Sequence, residues 1–208
     1  AVRRQAAGAD PRPIILFGTQ PMQMDDNLVS LANLMQALHG RTDVQVVIKL
    51  HPAEPRGNSA VYEQAAERHG GATRVRVVQD IAIYPLILAS KVVVAQTSNI
   101  LIEAALLERR AIALQFLAFE PPIDFEDMGC ARVMTTRADL SRELDDVLSA
   151  PPGQARVDTL QDTFRRNNAQ MLDEKFVPRI IAHGLGLKRR GFFGRFGRFL
   201  ADLRAPLR

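Results

Sequence analysis

The sequence predicts an α/β fold: a doubly wound parallel sheet followed by extra carboxyl-terminal helices. Three observations carry that expectation. Short, almost wholly apolar runs recur along the chain, helix-length segments with 3–4 spacing of apolar residues separate them, and each run ends in polar or turn-forming residues. Strands that apolar are buried on both faces, as they are when helices cover both sides of a parallel sheet.

The elements follow in order. Ala1–Pro13, with Gly8 and two prolines, reads as a linker. Ile14–Phe17 is a buried strand ending at Gly18, and Asp26–Leu38 is a helix with apolar residues at 28, 31, 34, 35 and 38. Val44–Leu50 is a second strand, stopped by His51-Pro52. Ser59–His69 is a helix with Ser59 as its possible cap. Val75–Val78, Lys91–Ala95 and Ala111–Leu114 are the remaining strands, with helices at Tyr84–Leu88 and Ile100–Glu108 between them. Ala138–Leu148 and Val157–Leu172 are helices that close the body. The domain organisation expected is thus a linker at 1–13, a Rossmann-like α/β body at 14–187 and a basic amphipathic tail at 188–208. The chain opens on Ala1 and not Met, so a fragment or processed product is expected.

Composition narrows the function classes. The 208 residues are 47% hydrophobic and 24% charged, a globular balance that excludes a disordered or collagen-like chain. The single cysteine, Cys130, excludes an internal disulfide framework, and no Cys/His cluster has zinc spacing. No apolar run reaches the ~20 residues of a spanning helix, and no secretory signal precedes the first strand, which points to a cytoplasmic protein. The net charge of +4 is unevenly spread: residues 188–208 hold seven basic side chains against Asp202, leaving the body slightly acidic. A nucleic-acid binder carries its basic stripe on the folded body, so no nucleic-acid partner is expected.

In such a sheet, ligands bind beyond the carboxyl ends of the strands. Four of those ends are polar here: Gly18-Thr19-Gln20, His51-Pro52-Ala53-Glu54, Gln79-Asp80 and Gln96-Thr97-Ser98-Asn99. Each loop alone is explained by ordinary turn and cap chemistry; their alignment on one rim favours a site. The turn before Ile100 offers free backbone N–H groups and the hydroxyls of Thr97 and Ser98 to an anion. Glu103, in the first turns of that helix, suits vicinal hydroxyls such as a ribose diol. A capping box is the plain alternative, but neither Thr97 nor Asn99 lies three residues before Glu103. His51 is placed to donate to a phosphate oxygen or to act as an acid towards a leaving phosphate, the alternative being a structural histidine. His39, His69 and His183 fit structural roles beside Gly40, Gly70 and Gly184. Asp25-Asp26 are better explained by a helix amino terminus than by a metal.

Three segments carry a resemblance: Ile48–Glu54, with its Lys-Leu-His-Pro element; Val77–Ile87; and Val92–Leu107, with Ser98-x-x-x-x-Glu103-Ala104. Together with Phe125–Val133 they resemble the carboxyl-terminal, Rossmann-like nucleotide-sugar-binding half of GT-B glycosyltransferases. The Lys-Leu-His-Pro element is most similar to that of bacterial capsule, teichoic-acid and sialic-acid polymer transferases. The serine-to-Glu-Ala motif also recurs in the related UDP-N-acetylglucosamine 2-epimerases. The resemblance spans about residues 14–150. It implies His51 on the donor phosphate as the catalytic group and Thr97, Ser98, Asn99 and the adjoining amides on the other phosphate oxygens. It implies Glu103 on the ribose, Gly18 and Thr19 in the loop approaching the donor, and Gln79 and Asp80 near the base. It implies no metal and no cofactor, the nucleotide-activated sugar being a substrate.

The resemblance further implies a polysaccharide or lipid-linked acceptor and an amino-terminal GT-B half in the same or another chain. The chain alone is then expected to bind nucleotide and turn over little. A 2-epimerase-like domain, or a scaffold or export module keeping the fold, is the alternative. In the tail, Phe192, Phe193, Phe196, Phe199, Leu200, Leu203 and Leu207 follow helical spacing with arginines alongside. That pattern suits either the inner leaflet of a membrane, making the protein peripheral, or packing against the other half.

Overall fold

The computed structural model describes residues 2–8, 10–21, 24–118 and 124–150. The helix expected at 157–172 and the tail at 188–208 lie outside the described residues.

Within them, six strands form one parallel sheet in the order β3-β2-β1-β4-β5-β6. The strands are β1 (Ile14–Gly18), β2 (Gln45–Lys49), β3 (Arg74–Val78), β4 (Val92–Ala95), β5 (Arg110–Leu114) and β6 (Arg132–Met134). The helices are α1 (Val2–Ala7), α2 (Met24–Ala37), α3 (Ser59–Gly70), α4 (Ile83–Ala89), α5 (Ile100–Leu106) and α6 (Arg137–Ser149). This is the doubly wound, Rossmann-like order, whose two halves run outward from β1 and β4.

The apolar runs behave as their composition dictates. Every residue of β1, β2 and β4 is buried, which a central parallel strand covered on both sides requires. Alternate residues Ile15, Phe17, Val46, Ile48, Val92, Val94, Ile112 and Leu114 meet α2, α3 and α6 through Leu31, Leu34, Met35, Tyr62, Ala66, Leu140 and Leu144. The intervening residues face the other side, where α4 and α5 pack. Burying one such aliphatic side chain contributes about 1.5–3 kcal/mol, so this two-sided core dominates the favourable side of folding.

The structure revises the sequence expectations in four places. Residues 1–13 are not a bare linker. Ala6 and Ala7 of α1 are buried, and the buried carboxylate of Asp10 binds the Arg12 guanidinium (2.6 Å) and Arg74 of β3 (3.1 Å). The hydrogen bonds from Arg12 hold the Asp10 carboxyl well below the usual carboxylate range. A sixth strand, β6, was not expected, because three residues carry too little pattern to read. Ser59 does not cap α3; its hydroxyl donates to the carbonyl of Arg56 (3.1 Å), in the 3-10 turn Arg56–Asn58. Finally, α5 ends at Leu106, before the positive φ of Glu108 (58°).

Candidate functional site

The strand order reverses between β1 and β4, so their carboxyl ends splay apart and open a crevice at the switch point. Gly18, the last residue of β1, meets the first turn of α5 there. A Cβ on it would lie 3.1 and 3.2 Å from Ile100 side-chain atoms, so the absent side chain is what lets α5 start this close to the sheet.

Between β1 and β2 the loops are locked by a hydrogen-bond network. The buried hydroxyl of Thr19 donates to the carboxylate of Glu54 and accepts from His51 N–H (2.9 Å). The same carboxylate accepts from His51 N–H (3.1 Å) and, on its other oxygen, from the Tyr62 hydroxyl of α3 (2.8 Å). Burial first, then this bond to Glu54, pushes the Tyr62 phenol above its ordinary range. From β3, the Gln79 amide donates to the carbonyls of His51 (3.1 Å) and Glu54 (2.8 Å). The His51–Glu54 turn is thus held from three sides.

One further bond decides the chemistry of His51. Ala53 N–H donates to its Nδ1 at 3.1 Å. An accepting Nδ1 carries no proton in the neutral ring, so the proton sits on Nε2. The half-exposed imidazole therefore presents an Nε2–H donor, which has no partner among the described residues.

Across the switch point, Gln20 joins the β1 loop to the β4–α5 turn. In the orientation that satisfies both amide atoms, its oxygen accepts from the backbone N–H of Ser98 (3.0 Å) and Thr97, and its nitrogen donates to the Thr97 hydroxyl (2.8 Å). The Gln20 backbone is itself clamped by the buried side chain of Asn27 in α2, which accepts from its N–H (3.2 Å) and donates to its carbonyl (2.8 Å). The Ser98 hydroxyl accepts from Ile100 N–H (3.4 Å), and Asn99 makes no side-chain cap. Glu103 accepts a long bond from the Tyr84 hydroxyl of α4 (3.4 Å). Burial raises the Glu103 carboxyl above its ordinary range, against the lowering effect of that bond, and burial also pushes the Tyr84 phenol up to about 12.

The sequence-predicted residues thus divide. His51, Thr97, Ser98 and Glu103 keep polar groups at the rim. Thr19 and Gln79 sit on the rim but turn inward, spending their polar groups on the His51–Glu54 turn. Gly18 serves close packing. Asp80 lies at the periphery in an exposed ion pair with Arg56 (2.8 Å), and Asn99 is exposed. Sequence reasoning missed Glu54, Gln20, Tyr62 and Tyr84 as members of this assembly. Glu54 and Gln20 stand in the polar strand ends, which was the available signal; the tyrosines sit inside helices and gave none. Asp25 and Asp26 occupy the first turn of α2.

The fold and its switch-point crevice define a Rossmann-like α/β domain. No family model and no curated protein matches the chain. Solved structures do. The wall teichoic acid polymerase TagF, in its H444N form with CDPG, is 14% identical with a TM-score of 0.52, covering 81% of this chain and 38% of that one. WaaG, a glycosyltransferase involved in lipopolysaccharide biosynthesis, is 16% identical with a TM-score of 0.51, covering 83% and 46%. A Listeria monocytogenes protein assigned as a UDP-N-acetylglucosamine 2-epimerase is 15% identical with a TM-score of 0.51, covering 86% and 47%. At such identities the likeness is one of fold: the chain has a GT-B glycosyltransferase-like, Rossmann-type architecture and spans less than half the length of these structures. Among the described residues, no helix is long and apolar enough to cross a membrane.

Proposed function

We propose that this chain supplies the nucleotide-sugar-binding half of a glycosyltransferase that builds a cell-surface polysaccharide. The observation that carries the reading is a pair of hydrogen-bond donor sets on one rim: the Nε2–H of His51, fixed by Ala53, and the Thr97–Ser98 turn. Thr19 and Gln20, consecutive in the chain, tie the two together.

The chemistry follows from those donors. When the bond between the sugar's anomeric carbon and the phosphate oxygen breaks, negative charge accumulates on the departing nucleotide. Preorganised N–H and O–H donors stabilise that charge without reorganising. His51 donates from Nε2, and the hydroxyls of Thr97 and Ser98 donate alongside. A phosphate oxygen at the turn takes the place now held by the side-chain amide oxygen of Gln20, so Gln20 keeps the amides satisfied until the donor arrives. Glu103 accepts from the ribose hydroxyls. No residue in this scheme requires a metal. The acceptor is a polysaccharide or lipid-linked glycan, met by an amino-terminal half in this or another chain.

Thermal-shift and calorimetric titration of the chain with UDP, CDP, CMP, GDP and their sugars tests the reading. One nucleotide class should bind, and His51→Ala and Ser98→Ala should each weaken it about tenfold or more, the worth of a hydrogen bond to a charged group. Binding that ignores both substitutions, or no binding at all, would favour a scaffold that keeps the fold. A strict preference for UDP-N-acetylglucosamine would favour the 2-epimerase reading, which the same architecture serves.

A further inference from the structure

Lys49, the last residue of β2, is only 7% exposed. Among the described residues its Nζ has one hydrogen-bond partner, the carbonyl of Leu50 at 2.8 Å, although an ammonium carries three donors. Among the described residues no carboxylate forms an ion pair with it. The neighbouring acids are engaged elsewhere: Glu54 with Thr19, His51 and Tyr62, and Asp80 with Arg56. Burial lowers the Lys49 ammonium from its ordinary range, with attraction to Asp80 and Glu54 opposing. A nearly buried cation lacking a counter-ion is costly, and an apolar side chain would fill the same space more cheaply.

The sheet register shows where the side chain points. Lys49 is the register partner of Gly18, and register partners in a parallel pair project to the same face. Gly18 looks directly at Ile100, the first residue of α5. Val46 and Ile48 of the same strand point the other way, into the core cluster. Lys49 therefore projects to the same face as Gly18, at the carboxyl end of β2 and one residue before His51, on the rim where the loops of the candidate site meet.

We propose that Lys49 is an anion-binding residue whose counter-ion is a phosphate oxygen of the bound ligand. The inference rests on the nucleotide-binding reading and adds to it a cation that accounts for the unmatched charge. With the anion bound, the two free N–H groups gain an acceptor and the desolvated charge gains its partner.

The test uses Lys49→Met, which keeps length and apolar volume and removes the charge, with inorganic pyrophosphate and the nucleoside diphosphates as probes. Without ligand, the variant should melt at or above the wild-type temperature, because an uncompensated charge has gone. Its affinity for pyrophosphate should fall about ten- to a hundredfold, the worth of a charge-assisted bond. In the unmodified chain, the Lys49 13Cε resonance should move on adding pyrophosphate, a readout independent of the variant's folding. Equal affinity in both proteins, a lower melting temperature with unchanged affinity, or an unmoved 13Cε resonance would overturn the role of Lys49 and leave nucleotide binding intact. Lys49-dependent binding of pyrophosphate without binding of any nucleotide would keep the role and remove the nucleotide reading. A wild-type chain that binds neither probe would remove both.

Discussion

Replacing Glu54 by alanine should cost the fold about 3 kcal/mol, and the figure follows from its partners. The carboxylate, 9% exposed, accepts from Thr19 Oγ1, His51 N and Tyr62 Oη. These donors do not suffer equally. His51 N–H still has Thr19 Oγ1 at 2.9 Å, and the Thr19 hydroxyl can turn to the Lys49 carbonyl at 3.4 Å. Only the Tyr62 hydroxyl, buried in α3, is left with no acceptor, at about 1–3 kcal/mol. The weakened pair at Thr19 and the lost methylene add about 1 kcal/mol more. Glu54→Gln, which keeps the shape and one accepting oxygen, should cost less than half as much. Urea denaturation of wild type, Glu54→Ala, Glu54→Gln, Tyr62→Phe and the Glu54→Gln/Tyr62→Phe double variant measures these values and the coupling, expected near 1 kcal/mol. Long-range 1H–15N spectra of the imidazole then read the functional consequence: His51 should be an Nε2–H tautomer in the wild type and a mixture in Glu54→Ala. An alanine variant within about 0.5 kcal/mol of wild type, the range of an ordinary surface change, would refute the network.

Other consequences are equally direct. Gly18→Ala places a methyl group 3.1 Å from Ile100 and should destabilise by about 1–3 kcal/mol, with Ile100→Val restoring part of the loss in chemical denaturation. Glu103 is held above its ordinary range by burial, so it lowers stability as pH rises through the window between its unfolded and folded values. Glu103→Gln should therefore raise the melting temperature at pH 7, show no such gain below the ordinary glutamate range, and weaken nucleotide binding; a gain that grew on acidification would contradict the assignment. Cys130, buried with its thiol pushed up to about 11, should resist a disulfide reagent at pH 8 in the native chain and react at once in denaturant. As the sole cysteine it makes that reaction a clean monitor of opening in the 125–130 turn.

The rim was legible because strand ends announce themselves. Val46–Leu50 is apolar but for Lys49 and then stops at His51-Pro52, and Val92–Ala95 stops at Gln96-Thr97-Ser98. A parallel sheet puts all such ends on one side, so naming the candidate loops needed only strand direction. The role of each residue within a loop was not legible. Thr19 and Gln79 look as available to a ligand as Thr97 and Ser98, yet the first two hold the His51–Glu54 turn through partners 25–35 residues away. Three-residue β6 and the six-residue α1 escaped for a different reason. Elements that short carry no period, and their place is set by β5 and by Asp10 with its arginines.

What the sequence determined by itself was the alternation of buried strands and amphipathic helices, and hence the edge of the sheet where chemistry gathers. Hydrophobic burial is read residue by residue, so a one-dimensional string records it. The tertiary structure alone decided that the oxygen of Gln20 covers the Thr97 and Ser98 amides, that Ala53 assigns the proton of His51, and that Lys49 is enclosed with no ion pair among the described residues. Those are matters of direction and of distances of a few ångströms. They arise only when segments remote in the chain are packed side by side and each polar atom takes whichever partner is within reach.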